Sequence, residues 1–391
     1  MPLSHVPPRR AFWARTLSGW LGALAACTAS LAYAEPGVSP RQLLIGQSIT
    51  LQGGKNEYGN DVQDGIQAYL QTVNAKGGVL GRQIVLKTLD DDNSTAKAAA
   101  NAAQLLEKEK VFILFGSVEG GPSTEVAKVA SEQKVPFFGP IAGAPGLRRP
   151  FLPMVFPVRA EHRDEFRALL QYSKSTGGSK VAFFRSDSDN GAAHLANVKL
   201  LCQELGMELV ADLPFKSNAD DARIAQLAEQ LKNSGAQLVF NHGGIGAYEK
   251  LIRAAKSIGV RSTFNAVNSG SAQLAKHLGP LAHGMVFSQV VPSPWERKTA
   301  MTREYQDVFA KFKPGTDFSY GSLEGYITAK ALVNALQLAG PEPTRERLVQ
   351  GIYGGSPFNM NGLPAVYTRE HHTGMSLVDL SIVTTQGKFR H

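Results

Sequence analysis

The sequence predicts an α/β protein with parallel sheets, and three observations support this fold class. Short apolar runs alternate along the chain with amphipathic stretches of helical period, an order typical of strand–helix–strand units. Residues 111–145 contain one complete unit, with a buried strand, a glycine-rich loop, a helix and a second strand. The chain also has 391 residues, a length that allows two domains.

The predicted strands are short segments rich in β-branched, leucine and aromatic residues. In chain order they span 43–49, 84–90, 111–115, 135–139, 155–157, 180–184, 208–214, 238–241, 262–265 and 284–291. The predicted helices carry apolar residues at intervals of three and four. They span 58–76, 94–109, 125–132, 163–175, 193–205, 222–234, 246–257, 300–312 and 323–339.

Capping residues support several of these helix starts. Ser94 follows the acidic run 90–92, and residues 218–221 precede the helix that begins at 222. The acidic run lacks the glycine and the distal glutamate of a calcium loop. We therefore interpret it as a turn followed by a helix cap.

Two loops of small residues, 116–124 and 141–145, follow neighbouring predicted strands. The carboxyl ends of parallel strands meet at one edge of a sheet, and ligands of open α/β sheets bind at that edge. Main-chain N–H groups at a helix start favour an anion such as a carboxylate. The sequence therefore predicts a small-molecule site at these two loops.

The first 34 residues have the features of an export signal. Three arginines without an acid precede an apolar stretch over 17–31, and Ala32-Tyr33-Ala34 fits the small-x-small cleavage rule. Two alternatives stay open: lipidation at Cys27, in a Leu-Ala-Ala-Cys box, and twin-arginine export. In each case we expect a protein outside the cytoplasm, in the periplasm. No later segment is long and apolar enough to predict a membrane span.

Composition excludes several other function classes. Residues 1–34 hold three of the 41 Lys and Arg and none of the 33 acidic residues, so cleavage lowers the net charge from +8 to +5. The remaining basic residues are scattered among acids, which does not favour a nucleic-acid face. With Cys27 removed, Cys202 stands alone, so we expect no intramolecular disulfide and a buried, inert thiol.

The common catalytic and cofactor motifs are absent from the sequence: there is no phosphate loop, no dinucleotide fingerprint, no nucleophile elbow and no zinc-protease helix. His162, Asp164 and Glu165 lie close together at a helix start, where we expect surface residues and not a metal site. His242, at the end of a strand, is the one histidine whose position could meet a ligand. We therefore predict a binding protein without catalytic residues, cofactor or metal.

Several motifs, in this order and spacing, resemble one family. The chain is similar to the bacterial periplasmic solute-binding proteins of the leucine/isoleucine/valine-binding type, which serve ABC transporters. The resemblance covers nearly all of the chain after the signal segment. Its most specific parts are residues 46–59, 74–82, 89–92, 115–145, 254–259 and 322–329.

The resemblance implies two Rossmann-like lobes, each with a parallel-sheet core, joined by three crossovers around a ligand cleft. We expect one lobe at 41–157 plus 290–360 and the other at 158–289 plus 361–391. The crossings are predicted near 156–159, 289–294 and 359–364. The ligand contacts that the resemblance implies are Tyr58, Gly120, Gly121, Ala142 and Gly143 on the first lobe, and Asn190, Gly244 and Tyr248 on the second.

The chain departs from the amino-acid binders of this family at the residues that would hold an amino acid. Those binders grip the α-carboxylate with a Ser and a Thr side chain, where this sequence has Gly120 and Gly143. In an ungapped match Tyr248 replaces the carboxylate that grips the ammonium, although Glu249 follows directly. A buried ammonium without a counter-charge is costly.

We therefore expect a carboxylate cradled by main-chain N–H groups, on an organic acid of aromatic or keto type. A branched-chain or other amino acid is the alternative ligand. The expected partner is an ABC-type membrane permease. A second hypothesis for the function is a sensor that presents its closed form to a receptor. A periplasmic enzyme is a remote alternative.

Overall fold

The computed structural model describes residues 35–354 and 357–391, so the predicted signal segment lies outside the described residues. The strands are β1 Gln42–Ile49, β2 Gln83–Asp90, β3 Leu114–Phe115, β4 Phe137–Phe138, β5 Val155–Phe156, β6 Lys180–Ser186, β7 Glu208–Phe215, β8 Leu238–His242, β9 Thr263–Ala266, β10 Val286–Gln289, β11 Asp379–Val383 and β12 Phe389–Arg390. The helices are α1 Glu57–Ala75, α2 Thr95–Glu107, α3 Gly120–Glu132, α4 His162–Ser175, α5 Asp189–Leu205, α6 Asp221–Ser234, α7 Ile245–Ser257, α8 Ser271–Leu278, α9 Ala300–Phe312, α10 Tyr320–Leu338 and α11 Arg345–Ile352.

These strands form two sheets, as the predicted fold class requires. The first sheet has the order β2-β1-β3-β4-β5 and is parallel throughout. The second has the order β12-β11-β10-β9-β8-β6-β7, and its strands are parallel except for β11 and β12. Apolar clusters lie on both faces of each sheet, which is typical of sheets whose crossover helices cover both sides.

The sequence missed four elements and placed the starts of α3, α5 and α10 three to five residues too late. The missed elements are α8, α11, β11 and β12, which are short or lie at the antiparallel edge of the second sheet. Helix α3 begins at Gly120 and not at 125, so the end of the predicted glycine loop is its first helical turn. Pro122 is compatible with that turn because the missing N–H would have had no helical partner there. Cys202 is a buried free thiol, as predicted, and burial raises its pKa to about 11.

The chain passes between the two sheets at three places. The first passage joins β5 to α4, and the second joins β10 to α9. After 360, however, Tyr367 and Met375 still belong to the apolar core beneath the first sheet. The Tyr367 hydroxyl donates to the Pro157 carbonyl oxygen at 3.1 Å, beside the first crossing. The chain therefore reaches the second sheet only before β11, later than the predicted boundary at 360.

Helices α1 and α10 pack closely because two glycines allow their backbones to approach. A Cβ on Gly65 of α1 would lie 1.8 Å from the Ser322 carbonyl oxygen, and one on Gly325 of α10 would lie 2.1 Å from the Val62 carbonyl oxygen. These contacts are with main-chain atoms, which cannot turn away as a side chain can. The pair fixes the orientation of α10, whose first half faces the second sheet.

We expect Gly65→Ala to lower the free energy of unfolding by about 1–3 kcal/mol, because the added methyl group separates the two helices. Denaturant unfolding followed by circular dichroism measures this change. Gly246→Ala is the matched control, since Gly246 lies in an exposed turn of α7 with open space around it. That variant should be as stable as the wild type or slightly more stable. Equal stability of Gly65→Ala and wild type would contradict the close-packing argument.

Candidate ligand-binding site

The first lobe presents four main-chain N–H groups at the carboxyl edge of its sheet. Gly120 and Gly121 form the first turn of α3, where helical N–H groups have no partner within the helix. Ala142 and Gly143 lie in the loop that follows β4. Among the described residues, no hydrogen bond engages any of these four N–H groups. We call these four residues the lip; it can receive an anion.

Arg148 holds the second half of the lip in place, and the sequence did not indicate this role. Its buried guanidinium donates to the carbonyl oxygens of Ala142 and Ala144, both at 3.2 Å, and to that of Arg159 at 2.9 Å. The carbonyl groups of the loop are thereby drawn toward Arg148. Burial lowers the pKa of Arg148 to about 10, so the side chain stays charged near neutral pH.

The second lobe lies directly against this lip. A Cβ on Gly120 would lie 2.3 Å from the Asn190 amide nitrogen, so the predicted contacts Gly120 and Asn190 meet across the two lobes. At Gly143 a Cβ would lie 2.6 Å from the His162 ring. The His162 main-chain N–H also donates to the Gly143 carbonyl oxygen at 3.0 Å. Glycine is therefore required at Gly143, where the close atoms include the His162 main-chain nitrogen, whereas at Gly120 the flexible Asn190 side chain would have to move.

Tyr58 is buried and bonded to a residue that the sequence did not single out. Its hydroxyl donates to Glu324 Oε2 at 2.7 Å, and Asn268 of the second lobe donates to the same oxygen at 2.8 Å. Glu324 lies in α10 and is 1% exposed. This carboxylate therefore joins α1 of the first lobe to the loop that follows β9 of the second.

Arg159, in the first crossing, lies between two buried carboxylates. Its guanidinium contacts Glu165 Oε1 directly and has its Nε 3.5 Å from Glu324 Oε1. Burial alone would raise the pKa of Glu165, but Arg159 and His162 lower it to about 2. For Glu324 burial prevails and its pKa is raised, because its ion pair with Arg159 is longer.

Three buried polar atoms of this network have no hydrogen-bond partner among the described residues. They are Arg159 Nη1, a donor, and the acceptors Asn268 Oδ1 and Glu324 Oε1. Buried polar groups are nearly always paired in folded proteins, so these atoms call for a partner such as ordered water or a bound molecule. The network can therefore offer a ligand both donors and acceptors.

Two predictions about this region are wrong. Tyr248 lies in the core of the second lobe, stacked on Phe184, and its hydroxyl donates to the carbonyl oxygens of Val239 and Asn265. It faces inward because α7 begins at Ile245 and places it one turn into the helix. His162 and Glu165 were expected at the surface, but both are buried and bonded to each other.

The remaining second-lobe residues are placed as follows. Gly244 is an exposed cap of α7 with a φ of 51°, close to the Phe215 ring. Glu249, the alternative partner for an ammonium group, pairs instead with Arg253 and His277. His242 lies at the end of β8, as predicted, and is buried.

The sheets, the crossings and the inter-lobe site define a two-lobed binding protein, and comparison with known proteins gives the family. The family described as periplasmic binding protein matches residues 42–388. The chain belongs to this family. Its members are solute-binding proteins and not enzymes.

Individual relatives agree with this assignment. Leu/Ile/Val-binding protein homolog 7 of Brucella abortus (strain 2308) is 23% identical over 324 residues, which cover 78% of this chain and 80% of the relative. A possible leucine/isoleucine/valine-binding protein from Rhodopirellula baltica SH 1 superposes with a TM-score of 0.82 at 25% identity, covering 90% of this chain and 97% of that one. A fatty acid ABC transporter substrate-binding protein from Thermomonospora curvata superposes with a TM-score of 0.79 at 19% identity. The match covers 91% of this chain and 92% of that one. None of the helices within 35–354 and 357–391 is both long and apolar enough to span a bilayer.

We expect Arg148→Lys to lower the free energy of unfolding by about 1–3 kcal/mol, because one ammonium group cannot satisfy three separate buried carbonyl oxygens. Denaturant unfolding measures the loss. Arg149→Lys is the matched control, since Arg149 is half-exposed and pairs with Glu161 at 2.7 Å. Its cost should stay below about 1 kcal/mol. Similar losses in the two variants would show that Arg148 does not organise the lip.

Proposed function

We propose that this protein captures a small carboxylate-bearing solute between its two lobes, outside the cytoplasmic membrane, and delivers it to an ABC importer. The observation that carries the proposal is the lip of four unpaired N–H groups beside a buried guanidinium. Such donors complement a carboxylate without requiring any particular side chain. Membership of the periplasmic binding protein family supports the transport role and a location in the periplasm.

For the ligand class, we infer an organic acid without an ammonium group. Gly120 and Gly143 contribute no side-chain hydroxyl, and Glu249 is occupied by Arg253 and His277. The Thermomonospora curvata protein is described as a fatty acid binder, and it has the same fold. This fold therefore occurs in proteins whose cargo is an acid without an amine.

An amino acid is the second candidate, and one observation favours it. Glu324 Oε1 and Asn268 Oδ1 are buried acceptors that receive no hydrogen bond from the described residues, although Arg159 Nε lies 3.5 Å from Glu324 Oε1. An ammonium group could donate to both. The relatives whose names include leucine, isoleucine and valine agree with this reading.

The deciding experiment is native mass spectrometry of protein purified from its host, followed by denaturing release and identification of the bound molecule. We expect a single acid of low mass, released unchanged. An organic acid without an amine supports the first proposal, and a branched-chain amino acid supports the second. Release of a chemically altered ligand after incubation would instead indicate an enzyme and contradict both.

The role of Tyr58 can be tested with the ligand thus identified. We expect Tyr58→Ala to weaken binding about 10- to 100-fold, or about 1.4–2.8 kcal/mol, through lost ring contact. Tyr58→Phe should weaken binding much less, because it removes only the hydroxyl group that donates a hydrogen bond to Glu324. Isothermal titration calorimetry gives the affinities, with Tyr172→Ala, an exposed tyrosine of α4, as the control. Unchanged affinity in Tyr58→Ala would remove Tyr58 from the site.

A further inference from the structure

Three histidines from three different elements meet beneath the cleft. His162 lies at the start of α4, His194 in α5 and His242 at the end of β8. One ring nitrogen of each lies within 4.8 Å of the others. The residues are 5%, 0% and 8% exposed, respectively. We call them the histidine cluster.

The ring nitrogens of this cluster lack partners, which a purely structural role does not explain. Both ring nitrogens of His194, and Nδ1 of His242, have no hydrogen-bond partner within the part of the chain that the structure describes. A buried polar atom left unpaired costs about 1–3 kcal/mol. Three such atoms in one place call for a partner outside the protein, such as ordered water or a bound ion.

Glu165 orients one ring of the cluster as metal sites require. Its Oε1 lies 2.8 Å from His162 Nδ1, so the carboxylate can accept that N–H and leave Nε2 with a free lone pair. In metal sites, histidine ligands commonly donate their second ring N–H to a carboxylate in this way. Glu165 is itself held by Arg159, by Ser288 and by the Asn268 main-chain N–H.

Burial lowers the pKa of all three histidines below the usual value. The neutral imidazole is the form that binds metal ions.

We propose that His162, His194 and His242 form a site for a divalent transition-metal ion, with Zn²⁺ as the first candidate. Imidazole nitrogens suit zinc, copper and nickel, and three protein ligands leave a fourth position open. Zinc–nitrogen bonds of about 2.0–2.1 Å place neighbouring nitrogens about 3.4 Å apart. The ring nitrogens lie within 4.8 Å of one another, and the His194 and His242 rings, whose centroids are 3.8 Å apart, must turn and separate for both to bind one ion.

The site adjoins the lip, because Gly143 packs directly on the His162 ring. The open fourth position is available to water or to a donor atom of a solute in the cleft. The proposal itself does not depend on which solute the cleft binds, and metal binding can be measured without it.

A packing role is the competing explanation, and it makes a different prediction. The rings pack against Phe166, whose centroid lies 5.4 Å from that of His194. If the cluster only fills space, phenylalanine should replace His194 with no effect beyond stability. If it binds metal, His194→Phe should preserve the packing and abolish metal binding.

The test uses the untagged protein, treated with a chelator and dialysed into metal-free buffer. Titration with zinc chloride, in competition with a chromogenic chelator, should show one tight equivalent for the wild type. His194→Phe should weaken this binding at least about 100-fold, whereas His283→Ala, at an exposed histidine, should leave it unchanged. Zinc should raise the midpoint of thermal unfolding for the wild type and not for His194→Phe.

A spectroscopic measurement and a second variant keep the test decisive. Cobalt(II) added in place of zinc should give the intense visible bands of four-coordinate cobalt. If His194→Phe does not fold, His242→Asn serves instead and should show the same loss. Equal zinc affinity in wild type and a folded cluster variant, or the absence of a tight equivalent in the wild type, would overturn the proposal.

Discussion

The contact between the two lobes depends on the buried guanidinium of Arg159. It lies where the chain first leaves the first sheet, and it is 3% exposed. A charge so deeply buried is tolerated only when it is paired, and removing one partner typically costs about 3–5 kcal/mol. Its two partners come from different lobes, Glu165 from α4 and Glu324 from α10. The ion pairs that Arg159 makes with these two carboxylates therefore hold both lobes against the first crossing.

Glu165 extends this constraint to the second sheet. Beyond Arg159, it accepts hydrogen bonds from the Ser288 hydroxyl at 2.6 Å and from the Asn268 main-chain N–H at 3.1 Å. The same carboxylate fixes the ring of His162. One anion, the Glu165 carboxylate, thus contacts the first crossing, the end of β10, the loop after β9 and the histidine cluster. This sharing explains why its pKa lies well below the usual range despite complete burial.

The sequence predicted the sheets well because parallel strands buried on both faces are near-continuous apolar runs, as β1 illustrates. It also placed two loops of small residues after neighbouring strands, and the structure has them after β3 and β4. It failed at Tyr248 because that position came from an ungapped match to the family, whereas the side chain packs inward on Phe184. The sequence did not predict the histidine cluster or the Arg148 contacts. They depend on which separate elements meet in space, and neither residue type nor local spacing carries that information.

The two lobes contribute different chemistry to the cleft, and this difference explains how one fold accommodates different solutes. The lip offers main-chain N–H groups, which any sequence with small residues at Gly120 and Gly143 can supply. The facing residues Asn190, His242 and Asn268 act through side chains, which a single substitution changes. The main-chain donors of the first lobe can therefore stay the same while substitutions change the second lobe. Proteins described as a possible leucine/isoleucine/valine-binding protein and as a fatty acid ABC transporter substrate-binding protein share this fold at 25% and 19% identity to this chain.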